Sequence, residues 1–330
     1  MTTGTTNPEI ITVKRPALWR ELLRRYTSVL ILVGLSLIIA SLTPDFLTVA
    51  NILTVALQAA ILGIVAIGET FVMLTAGIDL SVGSLVALGG ALSVGVAVKM
   101  GLGTYPGMVV GLLAGGAMGA ISGLLTVKGK IPPFVSTLAM LAAARGLTLV
   151  YTQGRPIAGL QGNFTFWGTG TLLDVPVPVF VLLVVFGGAY LLLNQTRFGL
   201  YVRAIGGGEE TARLAGVRTG TVKLMVYIIS GVTAALGGIL LAARLWSAQP
   251  NASTGLELDA IAATVLGGTS LFGGVGGISG AVIGALLIGV LGNGMNLLEI
   301  PSYYQQVVKG LVFVLAVLLD FATKGRPKTG

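Results

Sequence analysis

The sequence predicts an all-α protein that crosses a membrane with about ten helices. Of its 330 residues, 54% are hydrophobic and only 10% are charged, whereas a soluble domain carries about 25% charged residues. Several apolar runs reach the roughly 20 residues that a helix needs to cross a bilayer. These runs are continuously apolar, which argues against a membrane β-barrel, whose strands alternate apolar and polar residues.

The first half of the chain contains five predicted membrane helices. A basic segment, residues 1–26, precedes the first of them. The apolar run that follows it is too long for a cleaved signal peptide, so we assign the basic segment to a cytoplasmic tail. The stretch from Ala76 to Ser84 (AGIDLSVGS) interrupts the apolar pattern after the second helix. The predicted helices cover about 27–43, about 52–75, a third that ends near 98, about 107–127, and a fifth that opens at Pro132-Pro133 and ends near 151.

Five more apolar segments follow a loop of about 25 residues. They cover about 177–193, 222–243, 256–271, 277–298 and 303–321. The segment 256–271 is short for a complete crossing. The membrane domain therefore spans 27–322, with a polar loop at 194–221 and a basic C-terminal tail at 323–330.

The distribution of charge supports ten crossings. The net charge of +8 fits the tendency of Lys and Arg to gather on the cytoplasmic side, without any nucleic-acid partner. With the N-terminus inside, the external loops between helices 3 and 4 and between helices 5 and 6 hold only Lys99 and Arg155 as basic residues. Ten crossings return the basic C-terminal tail to the cytoplasm. The predicted cytoplasmic loops hold Lys128, Lys130, Arg197, Arg203, Arg213, Arg218 and Lys223.

Composition excludes several kinds of chemistry. The chain has no Cys and no His, which excludes disulfides, thiol catalysis and metal sites built from those residues. We find no paired carboxylates with a recognisable catalytic spacing, which disfavours a membrane-embedded enzyme. We therefore expect no catalytic residues and no metal in this chain.

One predicted helix carries glycine at every fourth position. These residues share a helix face and predict close contact with a neighbouring helix. They are Gly107, Gly111, Gly115, Gly119 and Gly123.

The stretch from Arg203 to Arg218 (RAIGGGEETARLAGVR) differs from its apolar surroundings. Three glycines predict a loose joint, and a short helix from Glu209 to Ala215 follows. Its first turn is acidic and Arg213 lies in its last turn, which suits the helix dipole, while Gly216 provides a C-terminal stop. Leu214 leaves a small apolar spot suited to docking into a groove. The alternative is an ordinary solvated loop helix.

This stretch resembles the cytoplasmic coupling helix of permease subunits of bacterial ATP-binding-cassette (ABC) sugar importers of the ribose, xylose, arabinose and galactose type. Three further blocks resemble the same family: TAGIDLSVGS (75–84), KIPPFVSTLAML (130–141) and LDAIAATVLGGTSLFGGVGG (258–277). The four blocks occur in order along nearly the whole chain. The family usually has Gly-Gly where this chain has Ala76-Gly77, which is a small departure.

The resemblance implies a set of partners in the bacterial plasma membrane. A second permease copy would complete the pathway, cytoplasmic ATPase subunits would bind the coupling helices, and an extracytoplasmic sugar-binding protein would deliver the cargo. ATP and Mg would bind the ATPase, since this chain lacks a GxxxxGK[ST] phosphate loop. The coupling residues would be Gly208, Glu209, Glu210, Thr211, Ala212, Arg213, Leu214, Ala215 and Gly216.

A polar translocation pathway is a second expectation. Charged groups in lipid need a partner or water, and Glu69, Asp79, Arg145 and Lys309 lie in or near predicted membrane segments. The alternative for all four is that they form structural ion pairs or hydrogen bonds within the protein. For Asp79 a further alternative is that it caps a helix together with Ser81. The candidates for lining a pathway are Glu69, Asp79, Asn293 and Asn296.

The cargo stays open at this point. A pentose or hexose fits the resemblance, and a nucleoside or a furanose-type signalling molecule is the alternative within the family. An ion-coupled secondary transporter would use the membrane carboxylates as a relay, although it would leave the short polar helix unexplained.

Overall fold

A computed structural model describes residues 18–324 of the chain. The protein is all-α, and the described strands are only two residues long. The helices of the first half are α1 (Leu18–Leu42), α2 (Val49–Leu74), α3 (Val82–Val94), α4 (Thr104–Val127) and α5 (Pro133–Thr152). Those of the second half are α6 (Gly162–Thr169), α7 (Val177–Gln195), α8 (Arg197–Gly207), α9 (Glu209–Leu214), α10 (Thr219–Arg244), α11 (Leu256–Leu266), α12 (Ile278–Leu297) and α13 (Ser302–Lys324).

The predicted membrane-spanning architecture is confirmed, although the count of ten crossings is not. Within residues 18–324, 7 helices are long and apolar enough to span a membrane, and the apolar parts of α1 and α13 are somewhat shorter. Helix α11 has 11 residues, which corresponds to about 16 Å at 1.5 Å per residue. That is about half the thickness of the hydrocarbon core, so α11 alone does not cross it.

Several boundaries differ from the predictions. Helix α1 begins at Leu18 rather than near 27, inside the segment assigned to the tail, and the rest of that segment, like the tail from 325, lies outside the described residues. The loop at 194–221 contains α8 as well as α9. Gly206 and Gly207 end α8 rather than forming a loose joint. The loop before α7, predicted to be external, contains α6 and three short strands.

Helix α2 lies at the centre of the bundle. Residues 59–74 are all buried, as expected of a helix that other helices surround. It packs against α7, α10, α11 and α12. Helix α10 packs in turn against α3 and α4, so α2 and α10 form the core on which the other helices assemble.

The glycines of α4 lie against two neighbouring helices, as their spacing predicts. Gly111 contacts Gly89 of α3, and Gly115 and Gly119 contact Gly231 and Tyr227 of α10. A β-carbon at any of these three glycines would overlap the backbone of the neighbour. Glycine therefore sets how closely α4 approaches α3 and α10.

The molecule has two opposite faces that bear different elements. We call one the strand face, where β1 (Ile157–Ala158) pairs with β4 (Ser247–Ala248). We call the other the α9 face, where α8 and α9 lie beside the turn at 273–276. Arg203 of α8 donates from Nη1 to the carbonyl oxygen of Gly276 at 3.1 Å, and Gly274 N donates to Leu74 O at 3.0 Å. Helix α7 spans from one face to the other.

Candidate functional site

Helix α9 forms where the local sequence predicts it. It runs from Glu209 to Leu214, with Glu209 and Glu210 in the first turn and Arg213 in the last, so its charges complement the helix dipole at both ends. Its predicted end at Ala215 differs by one residue, since Ala215 is the C-cap.

The end of α9 is a Schellman turn. Gly216 N donates to Arg213 O at 3.0 Å, and Val217 N donates to Ala212 O at 3.0 Å. Gly216 has φ +86°, a left-handed conformation that glycine adopts at little cost. Ala212 is buried and Val217 packs against the same core cluster. The role of Gly216 as a helix stop is therefore confirmed.

Helix α9 is attached to the membrane domain on one side and exposed on the other. Lys223 Nζ of α10 contacts Glu209 Oε2 at 2.9 Å, and the buried Ala212 adds an apolar contact. On the outer side, Leu214 is 79% exposed. Arg213 contacts Glu210 at 2.7 Å, and this hydrogen bond raises the pKa of the Arg213 guanidinium. The helix thus presents an exposed leucine beside an exposed ion pair.

A cleft of about 570 Å³ lies beside α9 on the same face. Its walls come from α9, the start of α10 and the turn between α4 and α5. They include Lys130 and Pro132, which open the sequence block at 130–141. Two of the four distinctive blocks therefore meet at one surface. The residues that line it are Thr126, Val127, Lys130, Ile131, Pro132, Pro133, Glu209, Glu210, Arg213, Thr219, Gly220 and Lys223.

Glu69 and Asp79 form a buried polar cluster inside the bundle. Both are fully buried. Glu69 Oε1 accepts a hydrogen bond from Asp79 N at 3.1 Å, and Asp79 Oδ2 accepts one from Ser230 Oγ at 2.8 Å. The cluster joins the break between α2 and α3 to the middle of α10.

Asp79 does not cap α3. Its Oδ1 accepts hydrogen bonds from Ser81 N at 2.9 Å and Ser81 Oγ at 2.5 Å, which forms a local turn before the helix. Ser81 is the N-cap residue, and its side chain makes no capping hydrogen bond to α3. The alternative of a helix cap is therefore wrong.

The two asparagines of α12 have separate environments. Asn293 is buried and exchanges two hydrogen bonds with Asn51 of α2, at 2.7 and 3.0 Å. Asn296 is exposed at the end of α12 and accepts a hydrogen bond from Gln305 at 2.9 Å. The structure therefore places Glu69 and Asp79 in one cluster, whereas Asn293 and Asn296 have different partners and different exposure. The assignment of these four residues to a translocation pathway stays a prediction.

The two membrane cations also have partners. Arg145 Nη1 donates to Pro250 O at 2.7 Å, and Lys309 Nζ contacts Asp259 Oδ2 at 2.6 Å. Sequence reasoning named neither partner, because Pro250 and Asp259 lie 105 and 50 positions away along the chain. An apolar pattern carries no signal for such pairs.

Comparison with known proteins identifies the family. The sequence profile described as "Branched-chain amino acid transport system / permease component" matches residues 51–317, which includes nearly all of α2, the whole of α3 to α12 and most of α13. The chain belongs to this permease family. The match covers both the α9 surface and the buried polar cluster.

The relatives of this permease span almost its whole length. It is 46% identical to the ribose import permease protein RbsC of Escherichia coli (strain K12) over 297 residues, which are 89% of this chain and 92% of the relative. It is 49% identical to the protein of that name from Bacillus subtilis (strain 168) over 288 residues, 87% and 89% of the two chains. The D-allose transport system permease protein AlsC of Escherichia coli (strain K12) is 39% identical over 297 residues, 90% and 91% of the two chains. No solved structure gives a significant match.

Proposed function

We propose that this permease is the membrane-spanning subunit of an ABC importer that translocates a monosaccharide, with ribose the first candidate. The observation that carries the proposal is the identity of 46–49% to ribose import permeases over about nine-tenths of the chain. The allose relative supports the sugar class more broadly. An extracytoplasmic binding protein delivers the sugar, and ATP hydrolysis on separate subunits drives its movement.

The α9 face is the docking surface for the ATPase in this proposal. Leu214 is the apolar anchor, because it is the exposed leucine of a helix that the membrane domain already fixes in place. The cleft beside α9 supplies polar and charged groups on the same face. A helix that docks in a groove of its partner needs this combination of an apolar contact and a polar rim.

Force would pass from α9 into the membrane through α10. The Glu209–Lys223 ion pair joins α9 to the first turns of α10, and Ser230, farther along α10, bonds Asp79 in the break before α3. Displacement of α9 therefore pulls on a helix that is tied to an interrupted membrane segment. Such breaks are where transporters commonly change shape.

The α9 face is the cytoplasmic side in this proposal. The segment from α8 to the start of α10 holds Arg197, Arg203, Arg213 and Arg218, whereas the described strand face has fewer basic residues, among them Lys99 and Arg155. The positive-inside rule then places α9 in the cytoplasm, where the ATPase must be. A second permease copy completes the assembly.

The substitution Leu214→Asp tests the docking surface. It places a charge on the proposed apolar contact, so we expect at least a tenfold loss of sugar uptake and of the ATPase stimulation caused by the loaded binding protein. The measurement uses the permease co-expressed with its ATPase and binding protein, with labelled D-ribose as cargo. Unchanged stimulation would refute the docking role of α9.

The matched control is Leu173→Asp. Leu173 is 91% exposed and lies between the short strands β2 (Thr171–Leu172) and β3 (Val175–Pro176) on the opposite face. The same change at this position should leave co-purification of the ATPase with the permease intact, whereas Leu214→Asp should abolish it. If the wild-type complex imports neither D-ribose, D-allose nor L-arabinose, the sugar assignment is wrong whatever the variants do.

A further inference from the structure

A second polar cleft lies inside the membrane domain, away from α9. It has a volume of about 170 Å³ and is enclosed by α2, α10, α11, α12 and α13. Arg244 is the last residue of α10, next to the strand face, and Lys309 lies two turns into α13. The cleft therefore occupies the half of the membrane nearer the strand face. Its lining is Gln58, Ile61, Leu62, Leu241, Arg244, Leu256, Asp259, Ile288, Gly289, Gly292 and Lys309.

The polar side chains of this cleft are incompletely paired. Lys309 Nζ and Asp259 Oδ2 form an ion pair of 2.6 Å, with both side chains partly exposed. In the part of the chain that the structure describes, the side chains of Gln58 and Arg244 make no hydrogen bond or ion pair, although both residues are partly buried. Polar and charged groups at membrane depth need a partner or water. Gln58 and Arg244 are therefore free to bind a solute.

The chemistry of the lining suits a hydroxyl-rich solute. A sugar hydroxyl both donates and accepts hydrogen bonds. The amide of Gln58 does the same, the guanidinium of Arg244 donates, and the carboxylate of Asp259 accepts. Asp259 already balances Lys309, so the three charged groups leave only one excess positive charge. This mixture favours a neutral polyol over a phosphate group, which would require donors without a competing carboxylate.

The volume of the cleft limits the size of the solute that it can hold. A cleft of about 170 Å³ holds several waters or one small solute, and it is smaller than the roughly 300–1,000 Å³ typical of sites for drug-sized ligands. Gly289 and Gly292 give one wall no side chain, and leucine and isoleucine side chains supply the remaining apolar surface. A single pentose or hexose suits a site of this size and lining.

We propose that this cleft is a binding subsite for a monosaccharide within the permease. Arg244 and Gln58 donate to sugar hydroxyls, Asp259 accepts from one, and Lys309 holds the Asp259 carboxylate in position. The inference rests on the proposed function and adds to it a site that belongs to the permease itself rather than to the binding protein.

The test measures sugar binding to the permease directly. Saturation-transfer NMR with the full chain in lipid nanodiscs detects weak contact with D-ribose, D-allose or L-arabinose. The double variant Gln58→Leu/Arg244→Met keeps side-chain size and removes no described hydrogen bond. We expect its transfer signal to fall at least fivefold, and that of Gln58→Leu alone to fall two- to threefold. The single variant keeps the test valid if the double variant fails to fold.

The control is Arg155→Met/Gln306→Leu, which makes the same chemical changes at exposed positions outside the cleft. Its signal should equal that of the wild type. An unchanged signal in the cleft variant overturns the subsite, and so does the absence of any wild-type signal from all three sugars. Native mass spectrometry detects bound phospholipid. If the cleft variant loses a phospholipid adduct while its sugar signal equals that of the wild type, the cleft binds a lipid headgroup and the proposal is overturned.

Uptake by the complete complex separates the two proposals. If wild-type complex imports ribose and the cleft variant imports it with an unchanged KM, the subsite is wrong and the importer assignment stands. If the wild-type complex imports none of the three sugars, yet the binding signal is present and is lost in the cleft variant, the importer assignment fails and the subsite stands.

Discussion

At the scale of single residues, several polar groups of the membrane domain are explained by partners far away in sequence. Asn293 pairs with Asn51, Asp79 with Ser230 and Lys309 with Asp259. The sequence was sufficient to single out one member of each pair, because a polar residue in an apolar helix is conspicuous. It could not name the other member, since neither helix periodicity nor spacing specifies which helices become neighbours.

The hydrogen bond from Ser230 to Asp79 gives a testable stability difference. The substitution Ser230→Ala removes the donor to Asp79 Oδ2 and leaves a fully buried carboxylate oxygen without that partner. We expect a loss of about 1–3 kcal/mol. The control is Ser84→Ala, because the buried Ser84 Oγ has no hydrogen-bond partner among the described residues. Thermal unfolding in detergent should show a lower midpoint for Ser230→Ala only, and equal midpoints would contradict the role of this bond.

At the scale of elements, local signals predicted α9 well because the whole helix is specified within one short stretch. Its acidic first turn, Arg213 and Gly216 are all adjacent in sequence. Helix α8 was missed, since two arginines and three glycines suggest a loop. Its stability comes from tertiary packing instead, because Val202 and Ile205 are buried in the central core cluster.

The start of α1 was missed for a different reason. The apolar pattern begins near residue 27, and that pattern reports the membrane crossing rather than the helix. Arginine and leucine favour helix formation in water as well. The helix therefore extends from the membrane into the basic segment, where hydropathy gives no signal.

The packing of α4 on α10 predicts opposite effects for two chemically identical substitutions. A β-carbon at Gly115 would overlap the carbonyl of Gly231, whereas a β-carbon at Gly188 of α7 meets nothing within 4 Å. We expect Gly115→Ala to lower the free energy of unfolding by about 1–3 kcal/mol through overpacking. Gly188→Ala should be neutral or stabilising by up to about 1 kcal/mol, because alanine favours the helix. Chemical denaturation in mixed micelles measures both, and equal effects would refute the close helix contact.

At the scale of the whole molecule, the crossing count depends on the segment between α10 and α12. Helix α11 is too short to span alone, yet β4 at its N-terminal side lies on the strand face and the turn at 273–276 lies on the α9 face. The chain therefore passes between faces as a loop of turns, a half-length helix and a glycine-rich turn. Hydropathy does not resolve such a composite crossing, because only its helical part resembles a membrane span. Helix lengths alone do not test the prediction of ten crossings. The test is to find on which side of the membrane each end of this segment lies.

Labelling of single introduced cysteines shows on which side of the membrane each position lies. The chain contains no native cysteine that would react as well. Trp246 and Val275 flank the composite crossing and are 56% and 55% exposed. With a membrane-impermeant maleimide, we expect Trp246→Cys to react in intact spheroplasts and Val275→Cys to react only in inside-out vesicles. The reference variants are Leu173→Cys for the outside and Leu214→Cys for the inside. Labelling of both flanking positions from the outside would make the segment re-entrant, reduce the crossings to nine and place the end of α13 outside. Reversal of all four variants would preserve ten crossings but place α9 outside the cell, where no ATPase could reach it.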